Sequence, residues 1–372
     1  MYEEKKYGLT FIVDARVELI HAILSKLKKD YKKFPNLIKK NYDEELDFIE
    51  VCNTDYAKKF YELIDFNKNP KLLKWAEKLA DLSDCGMTFE IAMMFDENFN
   101  KQIERVTSVH NEYPDFIEFL EEFSAFEKTI QEFIEKSRYI EFYNENHKEF
   151  HKMIEDASSE YPENLDMNDM KEFYGLTFKK HPVIYSQFYN GGIGFEIEKT
   201  PHCFKGLWIE DGKYFESTNT VVNLFHEYSH PIINPLVDKY WENFENKENL
   251  LENITQNSLV EAYQKNKTIY YEYFVRAVSD FLGKKYIDIH TRIEIDKELG
   301  FTKIEELIEH IEKEYNMDGN FEKYFKEKLI PYVNELTSKS HKKRKWSYMA
   351  KEIICECPKV ILKKFYKIKN KE

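Results

Sequence analysis

Apolar residues recur along this chain with two different periods. Val17, Ile20, Leu24 and Leu27 fall three or four apart behind Asp14, which predicts a helix from Ala15 capped by that aspartate. Arg16 and Glu18 then read as charged residues of a solvated first turn. Before them, Tyr7 to Val13 is continuously apolar and β-prone, the signature of a strand. From Asp43 to Asp156 the helical period dominates, with helices expected over Tyr56 to Phe66, Pro70 to Leu82 and, with breaks, Phe116 to Ile154. Phe116, Phe119, Leu120, Phe123 and Phe126 share one face and are expected in the core, whereas Met87 to Phe95 fits either period. Beyond Lys171 the pattern turns to strands. Leu176 to Phe188 and Gly194 to Ile197 flank the turn-rich Tyr189-Asn190-Gly191-Gly192, and Asp211-Gly212 joins Leu207–Glu210 to Lys213–Phe215 as a hairpin. Ile193 to Ile197 is the expected edge strand, able to take an extended peptide by main-chain hydrogen bonds. Helical spacing returns near Leu250 to Lys265, Thr268 to Lys285 and Ile304 to Leu336.

Where strands give way to helix, after Ser217, Thr218 or Asn219 as candidate caps, stands Val-Val-Asn-Leu-Phe-His226-Glu227-Tyr-Ser-His230. Histidines at i and i+4 lie one above the other on a helix face, so His226 and His230 can offer two imidazole nitrogens to one metal ion. Glu227 is placed to accept a proton from a water molecule that zinc would acidify to a pKa of about 7. Pro231 follows directly; it removes an N–H and crowds the carbonyl of Glu227, so the helix is expected to kink or end there, with Pro235 reinforcing the stop. His147 and His151 share the i, i+4 spacing but sit in a charged segment and are read as exposed.

A catalytic zinc site needs a third protein ligand. The extended motif with Gly and a third His is ruled out, because those positions hold Ile233 and Leu236. Glu272 leads the remaining candidates. It lies in the apolar stretch Ile269 to Val278, and a carboxylate buried there needs a cation to offset its desolvation. Arg276, one turn on, is the alternative partner, and the two readings coexist if Arg276 supports the ligand from behind. Glu261 is the next choice, and Asn234 is a further candidate to support a ligand.

Composition narrows the class. Of 372 residues, 16% are aromatic and only 11 are Gly and 10 Pro, a balance that favours a helix-rich globule of two or three subdomains. The divisions expected are 1–165, an N-terminal strand with a mainly helical part; 166–300, the catalytic core; and 301–372, a helical segment with a basic tail. The net charge of −13 argues against nucleic acid as a partner. From Lys339 onward the chain carries +9, leaving −22 on the rest, so this tail is read as lying on an acidic body. Cys52, Cys85, Cys203, Cys355 and Cys357 are odd in number and scattered, which is no disulfide framework. Neither a signal peptide nor a membrane span is legible, and a cytoplasmic location is expected.

Taken together, His226-Glu227-Tyr228-Ser229-His230 with Asn234-Pro235, Glu272-Tyr273-Phe274-Val275-Arg276-Ala277 and Asp14-Ala15-Arg16-Val17-Glu18-Leu19 resemble a bacterial domain-of-unknown-function family related in pattern to gluzincin metallopeptidases. The resemblance implies an α+β, zincin-like fold, mostly helical, with a small, largely antiparallel sheet beside the metal-binding helix. It implies one Zn2+ held by His226, His230 and Glu272. It also implies peptide-bond hydrolysis with Glu227 as general base and a peptide or protein as substrate. One departure matters: thermolysin-like gluzincins carry an acidic residue four positions after the ligand Glu, and this chain carries Arg276. A non-catalytic zinc-containing binding protein and a small-amide hydrolase are the competing expectations.

Overall fold

The computed structural model describes residues 1–82, 84, 86–178, 180–216, 220–245, 247 and 266–338. The chain divides into two compact units, Met1–Glu163 with Lys179–Ser217, and Asn164–Phe178 with Thr218–Glu372. Among the described residues no helix is long and apolar enough to cross a membrane. The Leu250–Lys265 segment, Glu261, Cys85, the basic tail with Cys355 and Cys357, and the candidate caps Ser217, Thr218 and Asn219 lie outside the described residues. Cys52 and Cys203 are buried, and Cys52 Sγ donates to the Gln187 carbonyl at 2.9 Å.

The first unit is α+β, built on a six-stranded sheet in the order β1-β2-β4-β6-β5-β3. Its strands are β1 (Tyr2–Lys6), β2 (Leu9–Val13), β3 (Val106–Thr107), β4 (Pro182–Ser186), β5 (Gly192–Ile197) and β6 (Thr200–Gly206). The sheet is mixed rather than largely antiparallel: β2–β4 and β4–β6 are parallel, and the other pairings antiparallel. Strand β1 escapes the hydrophobic pattern because it is an outer strand, Tyr-Glu-Glu-Lys-Lys, whose charges face water. It joins β2 through Tyr7 and Gly8, both at positive φ, the geometry of a two-residue hairpin turn. Strands β4 and β5 do not pair across Tyr189–Gly192, because β6 lies between them. Nor is β5 outermost: β6 covers one side and β3 covers Glu196 and Ile197 on the other. The Asp211-Gly212 hairpin forms as expected, joining β7 (Trp208–Glu210) to β8 (Lys213–Phe215).

Helix Ala15–Asp30 follows β2 and is capped by Asp14, which accepts from the Arg16 backbone N–H at 2.9 Å. Its opening turn is not solvated. Asp14, Arg16 and Glu18 are 1%, 4% and 0% exposed, because this helix is enclosed on almost every face. Burial of the charge is tolerated because it is paired: Arg16 Nε and Nη2 reach the Asp14 carboxylate at 2.8 and 2.6 Å, and Nη1 donates to the Phe95 carbonyl at 2.7 Å. Met87–Phe95 resolves as helix Gly86–Met93 followed by a turn at Met94 and an isolated bridge from Phe95 to Lys101. Of the expected face, Phe116, Phe119, Phe123 and Phe126 are buried, Phe119 and Phe126 against Trp75, while Leu120 is half-buried. His151 is exposed and bonds to Glu4 at 2.6 Å, whereas His147 is half-buried, its ring 5.0 Å from that of Tyr2 and 5.9 Å from that of Tyr143.

Two buried groups of this unit make its stability pH-dependent. Burial pushes the Glu18 carboxyl up to about 7, against the pull of Ser186, Tyr56 and the Gln187 backbone. At His110 burial works the other way, but hydrogen bonds to Asp84 and Glu90, with their charges, outweigh it and raise the imidazole from 6.5 to about 9. Both folded pKa values lie above the unfolded ones, so both contributions are full at low pH. The Glu18 contribution fades as pH rises from 4.5 through about 7, and the His110 contribution as it rises from 6.5 through about 9. His110→Gln should therefore remove roughly 1–3 kcal/mol of pH-dependent stability in the upper window. Glu18→Gln should flatten the lower one. Unfolding midpoints against pH check this, and slopes unchanged in both variants would contradict it.

The second unit, as described, is helical: Asn168–Tyr174, Thr220–Lys239, Asn266–Gly283, His290–Glu298, Ile304–Glu314, Phe321–Tyr324 and Ile330–Ser338, the last two joined by a π-helical turn over Phe325–Leu329. Helix Thr220–Lys239 carries the histidine motif and runs through both Pro231 and Pro235, contrary to the expected stop. Each internal proline costs about 3 kcal/mol in an isolated helix. Packing offsets this, because Ile233 and Val237 beyond Pro231 are fully buried. Helix Asn266–Gly283 lies antiparallel against it. Asp238 near one end meets Lys267 and Tyr271 at 3.0 and 2.6 Å. At the other end Gly283 abuts Val222, where an added Cβ would come within 2.4 Å of a methyl group.

Candidate metal centre

The site grows from this helix pair. Val221, Val222, Leu224, Phe225 and Tyr228 are buried, so the helical turn bearing His226 and His230 is fixed by its apolar neighbours. Ser229 is pinned as well, donating to the Phe225 carbonyl at 2.6 Å and accepting from the Tyr174 hydroxyl at 2.7 Å. The two imidazoles stand nearly perpendicular, at 84°, with their Nε2 atoms 3.1 Å apart. Across the interface, Glu272 Oε1 lies 3.5 Å from His230 Nε2, and Oε2 lies 3.8 Å from His226 Nε2. Among the described residues these three form the one His/Cys/Asp/Glu group arranged to hold a metal ion. Glu227 is 6% exposed and follows His226 on the same helix.

These residues suit a divalent ion on three grounds. Zinc ligands at about 2.0–2.1 Å in a tetrahedron are separated by roughly 3.3–3.4 Å; the two Nε2 atoms stand 3.1 Å apart, and one Glu272 oxygen lies 3.5 Å from His230 Nε2 and the other 3.8 Å from His226 Nε2. Burial, helped by His230, Arg276 and Arg292, holds the His226 imidazole well below its ordinary range, so it is neutral, as a ligand must be. Charge is the third ground. Glu272 is a buried carboxylate facing both histidines, and Arg276, the cation beside it, is shared with Asp296, so among the described residues its charge is only partly met.

The supporting residues fall partly where the sequence placed them. Asn234 Oδ1 accepts from His230 Nδ1 at 3.3 Å, which leaves the Nε2 lone pair facing the cluster. Arg276 Nη2 lies 3.2 Å from Glu272 Oε2, so Glu272 meets both the histidines and its neighbour at i+4. Sequence reasoning missed Asp296, which takes Arg276 Nη1 at 2.6 Å, and Asp280, which takes Arg292 Nε at 2.7 Å. Asp296 sits in Arg-Ile-Glu-Ile-Asp-Lys-Glu, a charged run that reads as a solvated face; no local signal marks its 1% exposure.

A separate cleft of about 510 Å³ lies in the first unit, lined in part by Lys26, Lys29, Lys33 and Tyr61. Asp30 already pairs with Lys26 and Lys33 at 2.9 and 2.6 Å, and among the described residues no metal-ligating cluster opens into it. The chemistry therefore points to the helix pair rather than to this cleft.

A family model described as "Domain of unknown function (DUF4932)" matches residues 9–333. No curated protein and no solved structure matches the chain.

The full chain should bind about one zinc per molecule, measured by elemental analysis after dialysis. His226→Ala or His230→Ala should abolish binding. Asn234→Ala should weaken it by about 10-fold or more, through the loosened imidazole. Full occupancy in the double histidine variant would place the metal elsewhere.

Proposed function

We propose, for a chain that belongs to the domain-of-unknown-function family DUF4932, a zinc-dependent metallopeptidase of gluzincin-like construction. His226, His230 and Glu272 hold the metal, and Glu227 is the general base. The observation that carries this reading is the meeting of two imidazoles and one buried carboxylate, with a second buried carboxylate one residue from the first histidine. A structural zinc site closes itself with four protein ligands, whereas three leave a position for water and substrate. Among the described residues this cluster has three. That count favours hydrolysis over a purely structural or binding role.

Zinc bound here supplies a Lewis acid that polarises the scissile carbonyl and lowers the pKa of water. The chain's own residues do the rest. Glu227 takes a proton from the attacking water as its oxygen bonds to the carbonyl carbon, then delivers that proton to the departing amine nitrogen as the C–N bond breaks. His226 stays neutral because burial and the neighbouring cations oppose its protonation. Asn234 holds the orientation of His230. Small-amide hydrolysis would use the same groups, and substrate size separates it from peptidase activity.

Glu227→Gln keeps shape and removes the base. It should retain zinc and fold while lowering hydrolysis by at least about 10²-fold, in a peptide-library digest with a chelated control. Undiminished cleavage by Glu227→Gln would refute the role given to this residue. A metal-loaded wild type that cleaves no peptide would favour the binding-protein or small-amide reading.

A further inference from the structure

The ligand carboxylate is not held by its own helix alone. Glu272 has three side-chain torsions, and its partner four residues on is a cation that competes for the same electrons the metal would use. Arg276 Nη2 contacts Glu272 Oε2 at 3.2 Å, while Nη1 of the same planar fork is bonded to Asp296 Oδ1 at 2.6 Å. The guanidinium lies over the Phe301 ring, 4.5 Å from its centre, so it is fixed in plane as well as at its ends. The loop after helix His290–Glu298 turns back so that the Phe301 N–H donates to the Asp296 carbonyl at 2.8 Å, setting ring and carboxylate on either side of Arg276. Asp296 is 1% exposed, and its Oδ2 makes no hydrogen bond to the described residues. Among the described residues the hydrogen bond that meets this buried carboxylate comes from Arg276.

We infer that Asp296 and Arg276 form a positioning clamp that sets both the orientation and the electron density of Glu272 as the third metal ligand. The inference rests on the metal site proposed above. Alone, Arg276 would hold Glu272 in place but draw down its negative charge. Asp296 takes up part of that positive charge and leaves Glu272 a stronger donor. Carboxylate, guanidinium and ligand carboxylate thus form a relay in the place where thermolysin-like enzymes carry an acidic residue. Asp296 and Arg276 act through Glu272 and touch no reacting atom.

The test is zinc affinity of the full chain by competition with a chromophoric chelator. The absorption spectrum of the cobalt(II)-loaded protein reports on the ligand field, and the unfolding midpoint of the metal-free protein reports on the fold. Asp296→Asn should weaken zinc binding by about 10–100-fold and shift the cobalt bands. In an Arg276→Gln background the same substitution should bring no further loss, because its effect runs through the guanidinium. Arg276→Lys keeps the charge but cannot bridge two carboxylates, and should also lose about 10-fold or more. It carries the test if Asp296→Asn does not fold. Zinc binding by Asp296→Asn and Arg276→Lys equal to wild type, while Glu272→Gln loses the metal, would overturn the clamp and leave the site standing. Equal losses from Asp296→Asn with and without Arg276 would also overturn it. Unaltered binding by Glu272→Gln would overturn the site and the clamp together.

Discussion

A carboxylate taken out of water must be met by positive charge, and Glu272 is such a carboxylate. It is 7% exposed in the interface between the two long helices of the second unit. One guanidinium reaches it at 3.2 Å, and that guanidinium is shared with Asp296 at a shorter distance. The residual negative charge points at two histidine nitrogens, one of which, on His226, burial keeps uncharged. The divalent cation proposed for this site would meet that charge. The arrangement of the helix pair around the site follows from bringing these groups to one point.

That arrangement needs close and unbroken packing. The motif helix spans two prolines that would stop it in isolation, and it persists because Ile233, between them, and Val237, beyond them, are buried. Gly283 lets the partner helix approach Val222 with no side chain between. Close approach at that end and the Asp238 contacts at the other hold the helices at the separation that puts Glu272 within 4 Å of both imidazoles.

What the sequence disclosed here depended on the range of the signal. The paired histidines were legible because i and i+4 meet on any helix, and Glu272 because an acid in an apolar stretch is conspicuous. The α+β class and the Asp211-Gly212 hairpin were legible for the same local reasons. Strand order was not, since the insertion of β6 between β4 and β5 is a matter of long-range pairing. The turn joining β5 to β6 was hidden as well: Glu198 and Lys199 adopt positive φ without a glycine to announce it. Arg16 and Glu18 were misread because charge suggests solvent, whereas Asp14 pairs with one and burial raises the pKa of the other. Asp296 was invisible for the opposite reason, a buried acid within a run of surface-like residues.

The central claim is the identity of the metal ligands, and X-ray absorption at the zinc edge of the stoichiometrically loaded full chain tests it most directly. The account predicts a first shell of nitrogen and oxygen at about 2.0–2.1 Å with the outer-shell scattering of two imidazole rings. A sulfur shell at about 2.3 Å, bringing the thiols into the site, or an imidazole signal that survives replacement of both His226 and His230, would contradict it.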